Sequence, residues 1–424
     1  MLQSLLNAWR LPDLRKKLLF TAFIIAVYRL GCYVPVPGVS VSAITQMFNQ
    51  GGVFDFFNLF AGGALSRVAI FAMGIMPYIT ASIIMQLLGM VIPQLESLLK
   101  EGEAGQKKVN QYTRYMGVGL GFIESIGFVF LFKSYGAFPP DKPLTGLRFF
   151  LIVLTLTVGA ALIMWLGELI TQRGIGNGIS LMIFASIVSR LPSGLQKLFT
   201  MNPGIWVVMA VIAVVVIGAI IYIQEGQRRI PVQYAKRVVG RKVYGGQSTY
   251  LPLRINMAGV IPVIFAASML ALPGVVAQFN RGTAKPAAWV VFIEQYLTRG
   301  DHQVYMVTYV ALIVFFTFFY VSITLNPVEV ADNMKKYGGF IPGIRAGRPT
   351  AEYLAYVLNR ITVPGATYLA LISLIPLIAL ILVGADQNFP FGGTSILIVV
   401  SVGLDTVKQI ESQLQQRHYE GFLR

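Results

Sequence analysis

Long apolar blocks alternate with short polar ones along most of this chain. Apolar stretches run near 18–35, 68–92, 115–132, 149–170, 179–199, 204–223, 257–276, 305–325, 365–384 and 394–411. Most approach the roughly 20 residues that a membrane-spanning helix needs. The pattern therefore predicts an all-α integral membrane protein with ten transmembrane helices. The fifth stretch carries Arg190 and Lys197 near one end, and the second half of the tenth is polar. One segment, GGVFDFFNLFAGGALSR at 51–67, fits no span. Asp55, Asn58 and the Gly62-Gly63 pair make it too polar to cross, and its aromatics make it too apolar for water. It reads as a short helix dipping back into the protein from outside, or else as an external amphipathic loop.

An even number of spans puts both termini on one side. With charges near a span end counted to the nearer side, that side holds 24 Lys and Arg against 9 on the other, with Arg29 inside the first span. The positive-inside rule then makes both termini cytoplasmic. Composition agrees with a membrane chain, because only 12% of the residues are charged, about half the roughly 25% of a soluble domain. Met1 to Lys17 carries no signal-peptide pattern and reads as a basic amphipathic surface helix. Two cytoplasmic loops are long. Residues 224–256 hold Arg228, Arg229, Lys236, Arg237, Arg241, Lys242 and Arg254 against one acid, Glu225. Residues 326–364 hold Lys335, Lys336, Arg345, Arg348 and Arg360. Their Gly-Pro content (GGFIPGIR, 338–345) predicts ordered turns, either a docking surface for a large acidic partner or a topology signal with lipid headgroup contact.

An internal repeat sharpens this. The second span contains Gly74-Ile75-Met76-Pro77-Tyr78-Ile79-Thr80-Ala81, and the seventh Gly259-Val260-Ile261-Pro262-Val263-Ile264-Phe265-Ala266. The fifth opens Ser180-Leu181-Met182-Ile183 and the tenth Ser395-Ile396-Leu397-Ile398. Pairing two with seven and five with ten implies two five-helix halves, 1–203 and 204–424. Five is odd, so the halves are inverted, and the working path lies between them. Pro77 and Pro262 are expected to weaken backbone hydrogen bonding and let these helices shift.

The path candidates are Ile75, Ile79, Ile179, Ile183, Ile264 and Ile398. An aliphatic ring binds no ion but closes a pore by excluding water. An ion-coupled secondary transporter with inverted repeats is the alternative, and it would need a polar midplane. An enzyme is disfavoured: no phosphate-binding loop, nucleophile elbow or zinc motif occurs. Cys32 is the only cysteine, and His302 and His418 stand far apart, so no cofactor or metal is expected.

FNLFAGGALSR (57–67), GIMPYITASIIMQLL (74–88), MWLGELITQRGIGNGIS (164–180), QRRIPVQYAKR (227–237), QSTYLPLRINMAGVIPVIF (247–265), NPVEVADNMKKYGGFIPGIR (326–345) and FGGTSILIVV (391–400) resemble the SecY family of bacterial protein-conducting channels, essentially end to end. The resemblance implies an hourglass pore with the six isoleucines as its waist. It implies a plug made of Phe57, Asn58, Leu59, Phe60, Ala61, Gly62, Gly63, Ala64, Leu65, Ser66 and Arg67. A lateral gate between helices 2 and 7 would carry Thr80, Ser82 and Ser268, and release apolar segments sideways. SecA or the ribosome would dock on Arg237, Arg241, Lys242, Arg345 and Arg348. SecE and SecG would be further partners, with signal sequences, translocating polypeptides and lipids, and a homo-oligomer is open. The bacterial inner membrane is the implied location. One departure is Ala346, where the family pattern has proline, which puts the turn after Arg345 in doubt.

Overall fold

The computed structural model describes residues 9–41, 44–45, 53–134, 136–138, 144–199, 203–234, 237–239, 242–244, 248–279, 287–297, 302–383 and 393–422. Helices dominate, and each of the ten apolar stretches lies at least partly on helix. In order they are α1 (Pro12–Gly31), α2 (Val53–Phe60), α3 (Met76–Val91), α4 (Pro93–Lys100), α5 (Glu103–Ser134), α6 (Gly146–Arg173), α7 (Gly178–Val188), α8 (Leu191–Phe199) and α9 (Pro203–Glu225). After a β segment follow α10 (Ile261–Phe279), α11 (Ala288–Phe292), a π-helical turn (Ile293–Leu297), α12 (Gln303–Thr324), α13 (Pro327–Lys336), α14 (Arg348–Val383) and α15 (Gly393–Phe422).

Among the described residues, five helices are long and apolar enough to cross a bilayer: Glu103–Lys133, Gly146–Arg173, Val207–Glu225, Gln303–Lys336 and Arg348–Ile375. The α3–α4 pair, bent by 104°, makes a sixth if it is one span. α9 leaves Val207, Val211, Val214 and Val215 exposed. Such a face is costly in water and natural against lipid.

The structure corrects several expected boundaries. The second stretch is helical only from Met76, and turns occupy 61–75. The fifth breaks between Val188 and Leu191 into α7 and α8, beside Arg190. α1 starts at Pro12, not 18, because Pro fits the first turn of a helix and Asp13 complements its positive end. Residues 1–8 of the expected surface helix lie outside the described residues. α14 begins at Arg348, so 348–364 is helix rather than loop. Its 36 residues span about 54 Å at 1.5 Å per residue, well beyond the roughly 30 Å of hydrocarbon.

To the helices the basic loops add a small sheet. β1 (Gln227–Tyr234) pairs antiparallel with β4 (Ser248–Arg254), with Ile230 opposite Leu251. Between them β2 (Arg237–Val239) pairs with β3 (Lys242–Tyr244). On its other edge β1 pairs with β5 (Gly339–Phe340) through Gln233–Phe340 and Tyr234–Gly339. The two basic loops are thus one β4-β1-β5 unit. Alternation explains it: Ile230 and Val232 point inward between exposed neighbours on β1. Ile230, Leu253 and Ile341 pack with Leu354, Val357, Leu358 and Ile361 of α14. This apolar cluster is separate from the main core.

Candidate functional site: two repeated helix starts and the turn packed against them

The repeated motif turns out to start helices. Gly74 and Gly259 both take a left-handed backbone, with φ of 58° and 62°, a conformation natural to glycine. Two residues later α3 and α10 begin, with Pro77 and Pro262 as their second residues. Proline there sacrifices no helical hydrogen bond. The expectation that these prolines loosen the helices is therefore corrected: they initiate them. The second pair matches equally well, since Ser180 and Ser395 are each the third residue of α7 and α15. Asn177 caps α7 by accepting from the Ile179 and Ser180 N–H groups.

Four helix starts therefore deliver the six isoleucines. Ile75, Ile79, Ile183, Ile264 and Ile398 are buried in one contiguous apolar cluster, and half-buried Ile179 packs against it. The same cluster contains Phe60, Ala61, Ala64 and Leu65 of the 57–67 segment.

That segment is a helix end followed by a turn, which corrects the reading of it as one short helix. α2 ends at Phe60, because Gly62 and Gly63 adopt φ of 62° and 83°. Buried Asn58 organises the turn: its Oδ1 accepts from Ser66 N at 3.1 Å and its carbonyl from Gly63 N at 2.9 Å. Ser66 Oγ donates to the Gly63 carbonyl. The chain then pairs with the segment after α1, through Val36 N to Val68 O at 2.8 Å and Ile70 N to Val34 O at 2.9 Å. Ala61 abuts Gly74, where a Cβ would sit 3.0 Å from the Ala61 Cα. The turn thus lies directly against the residue preceding Ile75.

Of the candidate gate residues, Thr80 and Ser82 are half-buried on α3, and Ser268 is buried on α10 with no partner for its Oγ among the described residues. Among those residues α3 and α10 make few close contacts, and α10 packs chiefly on α12. Nearby, Arg114 of α5 pairs with Glu168 of α6, which gives one in-span carboxylate its counterion.

On the sheet side, Arg345 and Arg348 are exposed. Despite Ala346, the turn after Arg345 is well defined: Thr350 Oγ1 donates to the Arg345 carbonyl at 2.7 Å and Arg348 Nε to Glu352 at 3.0 Å. Arg237 opens β2 and Lys242 opens β3, while Arg241 lies outside the described residues. Two ion pairs fasten this region to α15, Lys408–Glu225 at 2.9 Å and Arg254–Asp405 at 3.6 Å. Among the described residues no cluster of three or more His, Cys, Asp or Glu could hold a metal.

The sequence model of the SecY family matches residues 69–407. A protein translocase subunit SecY from Streptomyces galbus is 55% identical, and one from Mycobacterium tuberculosis 50%, each over the whole of both chains. The chain belongs to the SecY family. As a SecY-family chain with several spanning helices, it is a multi-pass membrane protein. Its fold matches a solved protein-conducting channel with a TM-score of 0.66 at 22% identity, covering 94% of this chain and 92% of that one. A channel structure described for its plug domain matches with a TM-score of 0.63, over the same shares of both chains and at the same identity. Sec61 in the canine ribosome–channel complex matches with a TM-score of 0.62 at 20% identity, again over 94% and 92%. None of these matches is a transporter.

Sequence reasoning missed two features of this SecY-family chain. The β1–β5 pairing depends on a strand of two residues, below any periodicity signal. The cluster of Arg29, Tyr33 and Arg67 around Gly62 was signalled only by Arg29, a charge inside an apolar span.

Proposed function

We propose that this chain is the pore-forming subunit of a protein-conducting channel, passing unfolded secretory polypeptides across the membrane and releasing apolar helices sideways. What supports this is that the six isoleucines, set by both members of two repeated helix starts, all belong to or pack on the main apolar core, which also takes in Phe60, Ala61, Ala64 and Leu65 of the 57–67 segment. On this reading 1–203 and 204–424 are the inverted halves of an hourglass, the isoleucines its waist and the turn its plug. Aliphatic lining suits such a pore, because it excludes water when the pore is empty and packs around unlike side chains when a chain passes. The α3–α10 seam, with Thr80, Ser82 and Ser268, is the lateral gate. Apolar segments leave through it because burial of apolar area is favourable by about 25 cal/mol per Å².

The chain carries no nucleotide-binding motif, so the push comes from outside. Arg237, Arg241, Lys242, Arg345 and Arg348 form the docking surface for SecA or the ribosome, and SecE and SecG are the companion subunits. The bacterial inner membrane is the site of action, with both termini cytoplasmic. The test is a stalled secretory chain crosslinked to Ile79→Cys in a Cys32→Ser background. The expected result is a crosslink that depends on engagement by SecA or the ribosome. A stalled chain that never reaches position 79 would refute the pore reading.

A further inference from the structure

The end of α1 holds the plug turn by contacts that no apolar packing requires. Arg29 Nη1 donates to the Gly62 carbonyl at 3.0 Å, and Nη2 reaches the Tyr33 hydroxyl at 3.3 Å. The Arg29 and Arg67 guanidiniums both lie over the Tyr33 ring, 5.4 and 4.1 Å from its centroid. Arg67 belongs to the far end of the plug segment, so one tyrosine links both ends of the turn to α1. Beneath, the Cys32 thiol faces the Ala61 carbonyl at 3.8 Å. Tyr28 hydroxyl donates to Ser186 Oγ of α7 at 2.6 Å, since Ser186 itself donates to the Met182 carbonyl. Gly62 fits only as glycine: a Cβ there would meet Arg29 Nη1 at 2.9 Å and Ser186 Cα at 3.3 Å.

Arg29 lies half-buried in the last turn of α1, and a positive charge drawn out of water needs a partner. For Arg29 the partners are a plug carbonyl and an aromatic face. Tyr33 is 57% exposed, so its cation–π contacts are reachable by water and weak enough to break. Apolar packing alone would hold the turn without orienting it; a charge-assisted hydrogen bond and two ring contacts fix one orientation and release together.

We propose that Arg29 and Tyr33 are positioning residues that form, with Arg67, a polar latch holding the plug turn closed against the waist. The inference rests on the channel reading for its purpose, but the latch itself is tested without any transport. Cys32 is the only cysteine in the chain and is fully buried against the Ala61 carbonyl, so its modification reports displacement of the turn.

The experiment uses the full chain with its partners in native membranes, treated with a membrane-impermeant maleimide from the outer side. Arg29→Ala and Tyr33→Ala should each speed Cys32 modification by about tenfold or more, the scale of one lost charge-assisted hydrogen bond. Arg29→Lys and Tyr33→Phe, which keep a donor or a ring, should stay within about threefold of the native rate. Unchanged rates in both alanine variants overturn the latch. So does an equal rise in all four, which would mean that any disturbance of α1 loosens the turn. Ion conductance of Ile79→Asn, measured alongside, separates the two readings. If that variant does not leak while the alanine variants expose Cys32, the latch stands and the pore reading fails.

Discussion

The isoleucines and glycines carry opposite parts of the design. Asparagine at Ile79 or Ile264 places a hydrogen-bonding group in the apolar core where, on the proposed reading, the constriction lies, so water gains a foothold. Ile79→Asn and Ile264→Asn should therefore each raise resting ion conductance in planar bilayers; unchanged conductance in both would remove the ring from the mechanism. Gly62→Ala acts by strain. Its left-handed backbone costs an L-residue about 1–2 kcal/mol, and the new methyl crowds Arg29. Amide exchange at Gly63 and Ala64, whose N–H groups close the turn, should accelerate by roughly tenfold. The isoleucines were legible in the sequence because two short motifs repeat. Their shared burial in the main apolar core was not, since identity at matching offsets says nothing about packing.

At the scale of elements, apolar patterning located the long helices but misplaced their ends and missed the short ones, α4, α11 and α13. The α3 boundary failed because the run of turns at 68–75 is as apolar as a span, and hydropathy cannot tell buried turns from helix. α14 was cut short because its N-terminal extension is amphipathic, with Leu354, Val357, Leu358 and Ile361 packed on the sheet and polar residues elsewhere. The small cluster that joins this extension to the sheet offers a sharp test. Ile341→Ala removes a buried side chain from a seven-residue core, at a cost of about 2–5 kcal/mol. It should reduce SecA or ribosome binding to membranes carrying the protein, while amounts of inserted protein stay near normal. Arg345→Glu reverses an exposed charge in a turn whose backbone is held by Thr350, so the fold should survive. Partner-driven translocation in vesicles should fall several-fold; full activity would exclude Arg345 from docking.

For the whole molecule, charge asymmetry told the most from sequence. It gave an expected orientation and marked the two loops, although not that they pair. The ion pairs that bind them to α15 were equally invisible, because Glu225 and Lys408 are 183 positions apart in the numbering. Both side chains are partly exposed, so the pair contributes about 1 kcal/mol or less. Reversal is harsher than removal: Lys408→Glu sets a carboxylate against Glu225 and close to Asp405. That variant should slow translocation, and adding Glu225→Lys should recover most of the rate. Failure of the double exchange to recover would mean that the pair itself does not matter.

The strand that the two basic loops share has a mechanical meaning. Backbone hydrogen bonds of an antiparallel ladder resist sliding as a group, so a load on either loop is distributed over β4, β1 and β5 together. From there it passes to three anchors: α9 through the start of β1, α14 through its apolar overhang, and α15 through Lys408 and Asp405. One of these, α15, carries Ile398 at its opposite end. A pushing motor would then have a rigid handle to brace against, its recoil spread over three helix shafts instead of flexing a single loop.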